Sequence, residues 1–304
     1  MSPEKRATVV ASVVATILTI VKFAIGVASG SVAVLASAID SLLDTLISIF
    51  NFFAIKKSEE KATDDFQYGK GKVQAIAGVI EGTVITISGL YIIYEAIQKG
   101  LHGRETMLLT PAIVAMVISI VVTFVLVRYL LGVAKATDNL VIKSDALHYQ
   151  TDLWSNGVIL LALLIVYLTG WDIVDALFGF AIGIYIIYSA YEIIEEGIYI
   201  LLDRALDGSI VAKIEQIIGE HSEVNGFHWL KTRTDGSINF VEFHLVLQPN
   251  MYLIEAHRIS DQIEDKIILL DDKKRWIITP HYDPYDDEEI NDAIAEGKKL
   301  GQSK

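Results

Sequence analysis

Six apolar stretches dominate the first 202 residues: 7–29, 33–55, 74–98, 108–131, 142–168 and 173–197. Crossing the hydrocarbon of a bilayer takes roughly 20 apolar residues in helix. Six such runs exclude an ordinary soluble globule. In lipid each backbone must satisfy its own hydrogen bonds as a helix, so the expected fold begins with an α-helical membrane domain of six transmembrane helices. Ser29-Gly30-Ser31 is a very short link that makes the first two helices a tight hairpin, and Thr169-Gly170-Trp171-Asp172 does the same for the last two. The first run is too long for the apolar part of a signal peptide, and a second follows at once.

Basic residues set the orientation. Lys5, Arg6, the polar loop 56–73 (Lys56, Lys57, Lys61, Lys70, Lys72) and the region of Arg128, Lys135 and Lys143 fall on one side; the other has only Lys99 and Arg104 in its loops. An excess of Lys and Arg marks the cytoplasmic side, which places both termini there. Lys22, inside the first helix, is expected to snorkel toward an interface. The chain as a whole carries a net charge of −13 and no cysteine. The acidity excludes nucleic acid as a partner, because phosphate contacts need clustered Lys and Arg, and it suits attraction of cations. The lack of cysteine excludes disulfides, thiolate metal sites and cysteine nucleophiles.

After residue 202 the periodicity changes, and the expected division is 1–202 membrane domain, 203–291 cytoplasmic domain and 292–304 charged tail. Residues 208–222 and 253–270 read as helices, and 227–233, 238–247 and 275–281 as strands. Val241, Phe243, Leu245 and Leu247 alternate onto one face, opposite Phe240, Glu242 and His244. The order αββαβ predicts a small α+β sandwich with both helices on one face of a three-stranded sheet.

Two charged pairs interrupt the apolar runs: Asp40 and Asp44 in "AIDSLLD", His148 and Asp152 in "ALHYQTD". Spacing i, i+4 puts each pair on one helix face. A charge at such depth costs at least about 2.5–3.5 kcal/mol. A single Asp there would read as an interhelical hydrogen-bonding group and a lone His as a satisfied polar residue. Two pairs on separate helices, with no basic residue nearby on either, point instead to a divalent cation. Three carboxylate oxygens and one imidazole nitrogen suit zinc or a similar first-row ion. Asp145 is expected at the membrane boundary, Asn156 on the His148–Asp152 face, and Glu81, Glu95, Asp172 and Asp175 as solvated, capping or packing groups.

Six helices, these two pairs and the αββαβ domain resemble the cation diffusion facilitator family, and "SGSVAVLASAIDSLLD", "YGKGKVQ", "SDALHYQTD" and "LLDRAL" resemble its bacterial zinc and ferrous-iron efflux branch. The resemblance covers nearly the whole chain. It implies a homodimeric metal/proton antiporter of the bacterial inner membrane, not an enzyme, with Asp40, Asp44, His148 and Asp152 as the transport site. It implies a two-metal cytoplasmic cluster of His228, His244, His257, His281 and Asp283 near the dimer interface. It also implies that Lys72 pairs with Asp203 at that interface. His102 and His221 match nothing in it. Some members carry a further metal site in the loop after the second helix; here Phe66 and Lys70 replace its histidines, so Asp64 and Asp65 are expected to form no site. Two other classes are weaker: a membrane metal sensor, for which no output module is present, and an intramembrane metal-dependent hydrolase, for which four protein ligands leave no open position.

Overall fold

A computed structural model describes residues 1–29, 32–102, 110–169, 173–289 and 292. The expected tight links at Gly30–Ser31 and 170–172, Arg104 and the tail 293–304 lie outside the described residues, as do the side chains of Asp40, Glu95, Lys99, His102 and Asp175. The chain separates into two compact units, Met1–Leu201 and Leu202–Lys304.

The first unit consists of six long helices: α1 (Pro3–Ser29), α2 (Val32–Ser58), α3 (Val73–His102), α4 (Thr110–Thr137), α5 (Leu140–Thr169) and α6 (Ile173–Leu201). By length and composition, three stretches among the described residues can cross a membrane: Pro3–Ile25, Val73–Gln98 and Val117–Thr137. α4 passes to α5 through Asp138, whose positive φ of 50° ends one helix. Asn139 starts the next, its Oδ1 accepting the Ile142 N–H at 3.2 Å. Small residues let the helices approach. Ala7, Ala11 and Ala15 of α1 are buried in one cluster with Leu126, Val127, Leu130 and Ala134 of α4 and Val141, Ile142 and Tyr149 of α5. α3 packs on α6 through glycines: a Cβ at Gly183 would stand 3.0 Å from the Gly89 carbonyl oxygen. Without a hydrophobic drive in lipid, such close backbone contact supplies the association energy.

In the second unit, α7 (Gly208–Gly219), β1 (Gly226–Thr234), β2 (Ile238–Val246), α8 (Leu253–Ile268) and β3 (Arg275–Asp283) follow the expected αββαβ order. The sheet order is β1-β2-β3, with β1 antiparallel and β3 parallel to β2. Asp207 caps α7 by accepting the Ser209 N–H, and the hairpin turns at Gly236, φ 99°. α8 buries Ala256, Ile259, Ser260, Ile263 and Ile267, a helical stripe. That stripe, with Ile214 and Ile218 of α7, covers Val241, Phe243, Leu245 and Leu247, so both helices share one face of the sheet.

Candidate metal centres

In the membrane unit three rungs connect α2 to α5. His148 Nε2 lies 3.0 Å from Asp44 Oδ1, Tyr149 OH 2.8 Å from Ser48 Oγ, and Asn51 Nδ2 donates to Asp145 Oδ1 at 3.3 Å. Positions 44, 48 and 51 recur at i, i+4 and i+7, which is why one stripe of α2 meets one stripe of α5. Asp152, one turn beyond His148, brings Oδ2 to 3.8 Å of the same Nε2. One donor atom from each of Asp44, His148 and Asp152 lies within 4.8 Å of the others. Asp40 sits one turn before Asp44 on α2. Asn156 turns its amide back onto the Asp152 carbonyl at 2.8 Å.

Two expectations need correction. Asp145 is not an entrance group open to solvent, and of the roles expected for Glu81 it takes the packing one: they are 0% and 2% exposed. Asn51, also 0% exposed, bridges them, donating to Glu81 Oε2 at 3.1 Å as well as to Asp145. Position on the helix gave no warning, because burial here comes from packing α3 against α2 and α5. Lys22 does not snorkel. It is 9% exposed and its ammonium donates to Ser41 Oγ of α2 at 2.8 Å, beside Asp40 in sequence. A positive charge therefore stands on α1 within reach of α2.

The loop after α2 behaves as its side chains dictate. Lys70 lies over the Phe66 ring, 4.8 Å from its centroid, and pairs with Glu60 at 2.9 Å. Hydrogen bonds from Lys57 and Lys70 hold the Glu60 carboxyl below its ordinary range. Asp64 and Asp65 are exposed, and among the described residues they join no metal-capable group.

In the second unit the sheet register aligns the histidines. His228 pairs with His244 across β1–β2, and His244 with His281 across β2–β3. Their rings form a row, with centroid separations of 5.0 and 4.5 Å. A bulge after His228 carries Trp229 at φ 57°, a strained setting for an aromatic residue. The turned indole packs edge-on to His244 at 5.1 Å and is covered by the Lys231 ammonium at 3.5 Å. Backbone strain of this kind collects at functional sites. Asp283, beside Val246 in the ladder, places Oδ2 2.7 Å from His244 Nδ1 and 3.4 Å from His228 Nε2. Its other oxygen is 3.3 Å from His281 Nε2. His257 stands apart on α8, 3.6 Å from Asp261, with its side chain 66% exposed. Asp287, which sequence reasoning missed, brings Oδ1 to 3.1 Å of His228 Nε2. One donor atom from each of His228, His244, Asp283 and Asp287 lies within 4.8 Å of the others. The missed signal was the acidic run after "HYDP", which resembled mere tail. Lys72 donates to the Leu201 carbonyl at 3.3 Å, and Asp203 (φ 57°) lies 3.5 Å from Arg233.

Comparison with known proteins completes the picture. Residues 8–202 match the cation efflux transmembrane domain, and residues 206–285 the cation efflux protein cytoplasmic domain. The cation-efflux pump FieF of Citrobacter koseri is 35% identical over 263 residues, covering 86% of this chain and 87% of that protein. FieF of Salmonella newport is 36% identical over 242 residues, covering 79% and 80%. With both domains matched in order and relatives aligned along most of its length, the chain belongs to the cation diffusion facilitator family of divalent-metal efflux transporters, which are membrane proteins and not enzymes.

Proposed function

We propose that this chain is a homodimeric metal/proton antiporter of the bacterial inner membrane, exporting zinc or a similar ion (ferrous iron, cadmium or cobalt). All six long helices span the bilayer, and both termini are cytoplasmic. The substrate ion enters from the cytoplasm and is held by Asp40, Asp44, His148 and Asp152. The observation that carries this reading is the 3.0 Å approach of His148 Nε2 to Asp44 Oδ1, with Asp152 at 3.8 Å. Without the ion, one proton fits between Nε2 and Oδ1. With it, the same two atoms turn to the metal and the proton must leave. Ligation and protonation therefore exclude each other at the same atoms, so metal affinity falls as protons bind. Exposing the site to the far side of the membrane, where protons are abundant, expels the ion.

The cytoplasmic cluster is a second, resident metal centre. Imidazole nitrogens and carboxylate oxygens are a donor set that fits zinc. His228, His244 and Asp283 form its inner part, while His281 and His257, both exposed, belong to an outer part shared at the dimer interface. Lys72 and Asp203 lie at that interface. The test is reconstitution into vesicles loaded with a zinc dye and a pH dye. Zinc entry coupled to proton movement in the opposite direction supports antiport, and zinc entry with no proton movement refutes it.

A further inference from the structure

We propose that Asp287 is a metal ligand, and that with His228, His244 and Asp283 it gives each protomer a closed four-ligand site that fastens the acidic segment after β3 onto the sheet. This rests on the cytoplasmic cluster proposed above and goes beyond its five residues. Asp287 lies past the last strand, yet its side chain is only 22% exposed, against 70% for its neighbour Asp286. Its Oδ1 approaches His228 Nε2 at 3.1 Å, and the Asp283 Oδ2 approaches the same nitrogen at 3.4 Å. One N–H cannot satisfy two carboxylate oxygens equally. Two carboxylates gathered this closely also repel each other unless a cation stands between them.

The four donor atoms, two nitrogens and two oxygens, lie within 4.8 Å of one another, as around one tetrahedral ion. Two carboxylates neutralise a divalent charge, which matters where His228 and Asp283 are 5% and 6% exposed. Asp286 stays outside the four: its Oδ1 accepts the Glu288 N–H at 3.1 Å and stands 3.5 Å from His228 Nδ1, the ring nitrogen opposite the one that faces Asp283 and Asp287. Four protein ligands leave no open coordination position, so the ion there is structural and slow to exchange. Residues 284–289 should be held only while it is bound.

The experiment uses the full-length protein in detergent, with Asp44→Ala and His148→Ala removing the membrane site. Cobalt(II) is titrated by its visible ligand-field absorption, and zinc is measured against a chromophoric chelator. Asp287→Asn should weaken zinc by about tenfold or more and lower the intensity of the tetrahedral cobalt band, while Asp286→Asn should leave both within about threefold. Hydrogen exchange of residues 284–289 should slow on adding zinc to the parent and not to Asp287→Asn. Equal losses in Asp286→Asn and Asp287→Asn would show bulk charge rather than ligation and overturn the inference. Unchanged affinity in Asp287→Asn would overturn it while leaving the cluster intact. A parent that binds no zinc or cobalt would overturn the cluster and the inference together.

Discussion

Asn51→Leu is the sharpest single test of the buried polar network in the membrane unit. Leucine keeps the volume but removes the amide that donates to Glu81 at 3.1 Å and Asp145 at 3.3 Å. Both acceptors are out of solvent, at 2% and 0% exposure, so neither finds water in exchange. Leaving a buried acceptor without its donor costs about 1–3 kcal/mol, more for a charged group. Two bonds give about 2–6 kcal/mol, and their lengths, beyond the usual 2.9–3.0 Å for N–H···O, favour about 2–4 kcal/mol. The measurement is equilibrium unfolding in mixed micelles, with the helical signal followed as denaturing detergent is added. Adding Glu81→Gln to Asn51→Leu removes one of the buried carboxylates and supplies an amide, so the double variant should regain at least half the loss. A single variant within about 0.5 kcal/mol of the parent, the range of an ordinary surface substitution, would refute the reasoning.

At the proposed transport site, Asp152→Ala should abolish zinc uptake by vesicles while the protein stays folded and inserted; uptake at the parent rate would remove Asp152 from the site. His148→Asp makes the site all-oxygen and should shift preference from zinc toward manganese, read by competition binding on purified protein. Gly183→Ala should destabilise the membrane unit by about 1–3 kcal/mol, seen as a lower melting temperature in detergent, because its Cβ would meet the Gly89 carbonyl at 3.0 Å. Replacing Asp64 and Asp65 together with Ala should leave zinc affinity within about twofold in the same binding assay, since exposed carboxylates without a shared ligand geometry hold ions weakly.

How far these features were legible depended on whether periodicity carried them. His148 and Asp152 were legible as a pair because helical spacing puts i and i+4 on one face, whatever the partner helix does, whereas the approach of Asp44 to them depends on how α2 packs against α5. The β2 alternation Val241-Phe243-Leu245-Leu247 fixed the sheet face in the same way. Asp145 and Lys22 were misjudged, and Glu81 was left among three roles, because their burial is decided by which helices pack beside them, and no local pattern encodes that. The row His228–His244–His281 needed strand register, which follows only once the hairpin turns at Gly236 and β3 joins in parallel. Asp287 lies beyond any periodic element, so composition alone disguised it as solvent-facing charge.

The two centres share donor chemistry and differ in what holds it. Asp44 stands on α2, His148 and Asp152 on α5. Side chains, not a shared backbone ladder, join those two helices, so a shift of about 1–2 Å between them, ordinary for helices in switching proteins, changes the distance from Asp44 to both α5 ligands at once. Affinity there can vary with conformation, as a carrier that must both seize and release its ion requires. His228, His244 and Asp283 sit on strands whose spacing is set by backbone hydrogen bonds, with His228 against His244 and Val246 against Asp283. No small rearrangement separates them without breaking the ladder. A site divided between two helices suits transport, and a site on one sheet suits retention. Under the proposed function, the same histidine and aspartate side chains serve opposite kinetic ends because their ligands stand on separate helices in one case and on one hydrogen-bonded sheet in the other.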